Sequence, residues 1–182
     1  MRVVTVTVMI WMACLVVVAS PSSAADAALS QFFGEYVGHA TQAPNEPLTP
    51  RDLSIKIRPH GSDSFTLEWT TVILRADGPK RQSYTVDFSP SDRRNIYSSA
   101  MHRDLFGQSE PLDPLKGDPY LWARINDRTL TVYAMLIADD GGYEMQIYER
   151  TLTEGGMLLK FSRNRNGREL KTITGLLSRV GR

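Results

Sequence analysis

The chain has 182 residues, 42% of them hydrophobic and 23% charged, with a formal net charge of +1. That balance excludes a disordered tail, a collagen-like rod and a multi-span membrane protein, and it leaves room for one domain. It carries no motif that names a chemistry.

Met1-Arg2 is followed by an almost charge-free apolar stretch over residues 3–18, then by Ala-Ser-Pro-Ser-Ser-Ala-Ala-Asp-Ala. One positive charge, an apolar core and small residues are the pattern of a cleaved export signal. The apolar stretch, about 16 residues, is short of the roughly 20 that span a bilayer, and Pro21 breaks any helix it forms. Cleavage patterns end at Ala24, Ala25 and Ala27, so the expected division is a signal over 1–25 and one domain over 26–182. Cys14 lies inside the apolar stretch, preceded by Trp11-Met12-Ala13 rather than the small pair of a lipoprotein signal. Its loss with the signal would leave a domain without cysteine, stabilised by its core alone. Export without disulfides points to a bacterial periplasm or a secreted protein.

Residues 26–32 allow one short helical turn, after which apolar residues recur with period two. Leu53, Ile55 and Ile57 alternate with Ser54, Lys56 and Arg58. Phe65, Leu67, Trp69, Thr71 and Ile73 alternate with Thr66, Glu68, Thr70, Val72 and Leu74. Tyr84, Val86 and Phe88 alternate with Ser83, Thr85 and Asp87, and Tyr143, Met145 and Ile147 with Glu144, Gln146 and Tyr148. Each reads as a strand with one dry and one wetter face. Residues 132–137, Val-Tyr-Ala-Met-Leu-Ile, are apolar on both faces, as in a strand covered outside as well as inside. Short turn clusters such as Asp139-Asp140-Gly141-Gly142 and Asn164-Arg165-Asn166-Gly167 separate the segments and suit antiparallel hairpins.

Segments near 34–40, 52–58, 64–74, 82–89, 95–100, 119–125, 129–137, 143–152, 157–163 and 168–180 predict eight to ten strands. With no helix to cover a sheet face, such a meander must close on itself or fold into two layers. The expected fold is therefore all-β, a single antiparallel up-and-down barrel, with a β-sandwich as the alternative. Residues 101–118, with Gly107, Pro111, Pro114 and Gly117, have no periodicity and read as a long loop.

Phe32-Phe33-Gly34-Glu35-Tyr36-Val37-Gly38 opens the domain with Gly-x-aromatic-x-Gly. It resembles the first strand of the calycin barrels, the lipocalins and their bacterial relatives, which carry Gly-x-Trp after a short helical turn. Tyr36 stands where those families have Trp. The resemblance implies a barrel closed at one end, with Arg179 as the basic residue packed across the aromatic.

No Gly-x-Ser-x-Gly occurs, and His39, His60 and His102 have no metal-ligand spacing, so neither catalytic residues, a metal nor a cofactor is expected. Asp139 to Gly142 lack the spaced ligands of a calcium loop. Acid–base candidates reduce to His102 with Asp104 and to Glu68 with Asp87. The last two fall in phase with each other and opposite Trp69 and Phe88, which places them outside if the aromatics are inside.

Aromatics spread over separate strands are the best candidates for a lumen. The expected ligand-binding set is Trp69, Tyr84, Trp122, Arg124 and Tyr133, with Trp122 and Arg124 at the rim of a pocket. Residues 101–149 hold nine acidic and four basic side chains, whereas 150–182 hold two and eight. Arg163, Arg165, Arg168 and Lys171 cluster around one turn and suit an acidic protein or an anionic surface. No nucleic-acid partner and no integral membrane role are expected. The function expected is an exported barrel that binds a small, largely apolar ligand. The alternative is a periplasmic interaction module with a filled barrel, and an enzyme is the third reading.

Overall fold

The computed structural model describes residues 28–44, 47, 49–99, 102–103, 109–110 and 113–181. The expected signal with Cys14, its three cleavage positions and Asp104 lie outside the described residues. Residues 28–30 form the short helical turn, and strands dominate thereafter. They are β1 (Gly34–Gln42), β2 (Arg51–His60), β3 (Ser64–Arg75), β4 (Gly78–Pro90), β5 (Ile96–Ser99), β6 (His102–Arg103), β7 (Ser109–Glu110), β8 (Tyr120–Asn126), β9 (Thr129–Ile137), β10 (Tyr143–Leu152), β11 (Gly156–Arg165) and β12 (Arg168–Val180).

Ten of these strands form one closed sheet in the order β1-β12-β11-β10-β9-β8-β5-β4-β3-β2. Every neighbouring pair is antiparallel, and β1 closes the ring against β12. The fold is thus the expected all-β up-and-down barrel, and closure excludes the sandwich. Among the described residues β6 and β7 pair with each other and lie outside the barrel sheet. They lie in the segment expected as a long loop, whose described residues also include a 3-10 turn, Pro114–Lys116, capped by the Asp113 carboxylate on the Leu115 amide at 2.9 Å.

One end of the barrel is packed solid. Phe65 stacks on Phe88 at 5.0 Å and meets the edge of Tyr97 at 5.2 Å. Leu67, Leu130, Val132 and Met157 are fully buried beside them. Each such side chain contributes roughly 1.5–3 kcal/mol through burial. The helical turn plugs this end with Leu29 and Phe32. Tyr36 is fully buried beneath it, its hydroxyl donating to the Phe32 carbonyl at 3.0 Å. The Arg179 guanidinium lies 5.4 Å from the centre of the Tyr36 ring and donates to the carbonyls of Gln31, at 3.4 Å, and Phe33. The expected Tyr36–Arg179 contact is therefore present. Gly34, at φ +149°, makes room for it, because a Cβ there would lie 2.9 Å from Arg179 Nε.

The seam depends on a second glycine. Gly38 pairs with Leu177, and a Cβ on it would lie 1.9 Å from the Leu176 carbonyl oxygen. That obstacle is backbone, which cannot swing aside as a long side chain would. Gly38→Ala should therefore cost about 3 kcal/mol, the upper end of overpacking penalties, seen as a lowered urea midpoint. An unchanged midpoint would show that β1 and β12 can spread without loss.

Candidate functional site

Alternation along the strands sorts side chains between lumen and exterior. Leu53, Ile55 and Ile57 on β2 point inward, as do Leu67 and Trp69 on β3 and Tyr84, Val86 and Phe88 on β4. Trp69 pairs with Tyr84 and stacks on it at 5.1 Å. Two of the expected binding residues thus stand together on the lumen wall.

The other three leave it. On β8 the residues packed inward are Ala123 and Ile125, and on β9 they are Leu130, Val132 and Ala134. Trp122, Arg124 and Tyr133 lie at the intervening positions and face outward. Small inner residues such as Ala123 and Ala134 fill this part of the core, so the large rings occupy the other face. Trp122 stacks on Tyr133 at 4.8 Å with the planes 10° apart, and Tyr120 leans on Trp122 at 5.8 Å.

β10 accounts for the inversion. Its wetter face, Glu144, Gln146, Tyr148 and Arg150, points into the barrel, and Tyr143, Met145 and Ile147 face out beside Ile137, Met135 and Tyr133. The outer surface of β8, β9 and β10 is therefore an apolar stripe, while the inner face of β10 carries a polar column at every second residue. None of these four inward side chains was selected from sequence.

The column is hydrogen-bonded from the open mouth downward. Arg163 donates to Glu144 at 2.6 Å, Gln146 donates to the other Glu144 oxygen at 2.8 Å, and the Tyr148 hydroxyl donates to Gln146 Oε1 at 2.9 Å. Below them Arg150 is 1% exposed, with Leu130 and Leu159 as its cross-strand neighbours. Its guanidinium lies 5.5 Å from the ring centres of both Trp69 and Tyr148. One nitrogen donates to the Tyr148 carbonyl at 3.3 Å, and Nε has no hydrogen-bond partner among the described residues. None of the ion pairs among the described residues involves Arg150. Burial pulls its pKa down to about 10, so it remains cationic at neutral pH, and burial pushes Tyr148 up to about 12.

Rings link one side of the lumen to the other, because Trp69 on β3 meets Tyr148 on β10 at 5.7 Å and Tyr148 meets Phe161 on β11 at 4.9 Å. Against these rings lies a cavity of about 310 Å³, walled by β2, β3, β4, β10, β11 and β12. Arg150, Leu53, Ile173 and Leu159 also line it, and Arg163 and Lys171 stand towards its mouth. The volume is at the lower end of the range for pockets that enclose a small molecule. A larger depression of about 840 Å³ lies outside the closed end, around Arg128, Glu154 and Arg179. It has neither the facing aromatic walls nor the buried charge of the lumen.

The remaining sequence candidates have structural partners. Glu68 lies on the outer face and pairs with Arg58, and Asp87, also outside, accepts from Thr66 at 2.5 Å with His60 at 3.6 Å. The acid–base pair is thus held in surface contacts. Of the basic cluster, Arg163 and Lys171 line the cavity, Arg165 pairs with Asp140 at 2.6 Å, and Arg168 sits opposite Arg165 in register. Among the described residues no group of three His, Cys, Asp or Glu is placed to hold a metal, and no helix is long and apolar enough to cross a membrane.

No family model matches this chain, and no curated protein matches it.

The Arg163 contact holds the Glu144 carboxyl below its ordinary value of 4.5. A lowered folded pKa contributes stability that is complete above the unfolded value and is lost as pH falls through the folded one. Glu144→Gln should remove that part of the acid dependence and cost about 1–2 kcal/mol at neutral pH, between an exposed ion pair and a buried hydrogen bond to a charged group. Melting curves of both proteins between neutral and acid pH check it. Parallel curves would place the acid sensitivity elsewhere.

Proposed function

We propose that the protein is an exported binding protein that holds a small, largely apolar ligand in the lumen of its barrel, in the periplasm or outside the cell. The observation that carries this reading is the cavity beside Trp69, Tyr148 and Phe161, in which Leu53, Ile55, Leu159 and Ile173 supply an apolar surface and Gln82, Gln146, Arg150, Arg163 and Lys171 supply polar and basic groups. Eight strands enclose an interior that side chains just fill or that takes one small ligand, and ten strands enclose more. Aromatic and aliphatic surface with polar groups placed to orient a ligand is what small-molecule sites present. The export signal read from residues 1–25 supports the location.

A second reading, an interaction module, is supported by the outer stripe of Tyr120, Trp122 and Tyr133, in which Tyr120 is 48% exposed. One titration separates the two. N-phenylnaphthylamine, a neutral apolar probe, should gain fluorescence on the wild type. Leu53→Trp, which fills the cavity, should weaken binding by about tenfold or more, and Trp122→Ala should not, since a lost apolar site of this size is worth a few kcal/mol. Loss in Trp122→Ala with retention in Leu53→Trp would favour the outer face, and no gain with any protein would sink the lumen reading.

A further inference from the structure

Arg150 is the least comfortable group in the barrel. A guanidinium removed from water costs several kcal/mol unless it is paired and its donors are satisfied. Here the flanking residues on both neighbouring strands are leucines, Leu130 and Leu159. The two rings that flank it offer only their π faces, which attract the charge but accept no hydrogen bond in the plane of the guanidinium. One donor reaches a carbonyl, and Nε reaches no acceptor among the described residues. The nearest carboxylate along the column, Glu144, is held by Arg163 and Gln146. The Tyr148 hydroxyl is engaged with Gln146. The column therefore neutralises itself at the mouth and leaves its deepest member, which lines the cavity, without a counter-charge.

We infer that the lumen selects a compact carboxylic acid, its carboxylate seated on Arg150 and its apolar body against Trp69, Phe161 and Ile173. This rests on the lumen being the binding site. A neutral carbonyl would satisfy a donor but not the charge, whereas a carboxylate does both and matches the planar fork of the guanidinium. The cavity volume of about 310 Å³ suits a body of one or two rings rather than a long chain. The acid enters head first, since Arg150 lies below the polar mouth.

The test is calorimetric titration of the intact chain with naphthoate and with naphthylmethanol, which share a ring system and differ in charge. Naphthoate should bind at least about tenfold more tightly, the worth of a charge-assisted hydrogen bond. The preference should survive high salt, because a buried pair is little screened, and vanish at acid pH where the probe's carboxyl is protonated. Arg150→Met should erase the preference while the alcohol still binds; a buried charge replaced by an apolar side chain of similar size is usually tolerated. If that variant does not fold, the salt and pH series on the wild type decides alone. Equal affinities, a preference abolished by salt, or one that survives in Arg150→Met would overturn the inference and leave the lumen reading intact. If neither naphthalene probe nor N-phenylnaphthylamine binds, the lumen reading itself fails.

Discussion

Everything in this barrel follows from the contact between its first and last strands. A meander of ten strands without a covering helix has two unpaired edges and one apolar face, and pairing β1 with β12 removes both problems together. The pairing needs two local concessions. Gly38 has no side chain where the Leu176 carbonyl approaches, and Gly34 yields its space to Arg179. Arg179 then ties the end of β12 to the carbonyls of the helical turn and covers Tyr36, so the same residues that close the ring also plug its end.

Closure also fixes what each face must be. Core residues accumulate at the plugged end, where Phe32, Tyr36, Phe65 and Phe88 are fully buried. Towards the mouth the circumference is the same but the plug is absent, so the interior is only partly filled. That difference along the axis is what leaves a cavity above a solid floor. It also allows β10 to place Glu144 and Gln146 inward near the mouth, where they satisfy each other and Arg163.

The strand positions were legible because alternation and turn chemistry are local properties. The predicted segments match the observed strands closely, and the Tyr36–Arg179 contact was implied by the resemblance of the first strand to the calycin barrels. The side of the wall on which a side chain falls is not local. Val132 to Ile137 is apolar at every position, so nothing in that strand distinguishes inside from outside. Its neighbours inherit the ambiguity. Trp122 and Tyr133 look like lumen residues because aromatics favour cores, yet they stack on each other outside over small inner residues. Glu144, Gln146, Tyr148 and Arg150 look like a solvated face because polar residues favour water, yet they are the inner one. The available signal was the period-two run of polar and aromatic residues ending in an arginine beside a doubly apolar strand. Its meaning required the register.

The inverted strand is stable because its two faces compensate. Outside, Tyr133, Met135, Met145 and Ile147 pack across the β9–β10 pair, so an outward apolar face is partly dried by its own neighbours. Inside, each polar group down to Tyr148 is satisfied by the one above or below it, so burial costs little at those positions. Arg150 is where the compensation stops. A chain selected for stability alone would favour an apolar side chain there, since Leu130 and Leu159 already surround the position. The charge is retained at the depth where a ligand entering through the mouth would end its path. If the lumen seats a carboxylate as inferred above, a group that costs the empty barrel free energy and returns it only when an anion arrives would make that binding selective rather than merely hydrophobic.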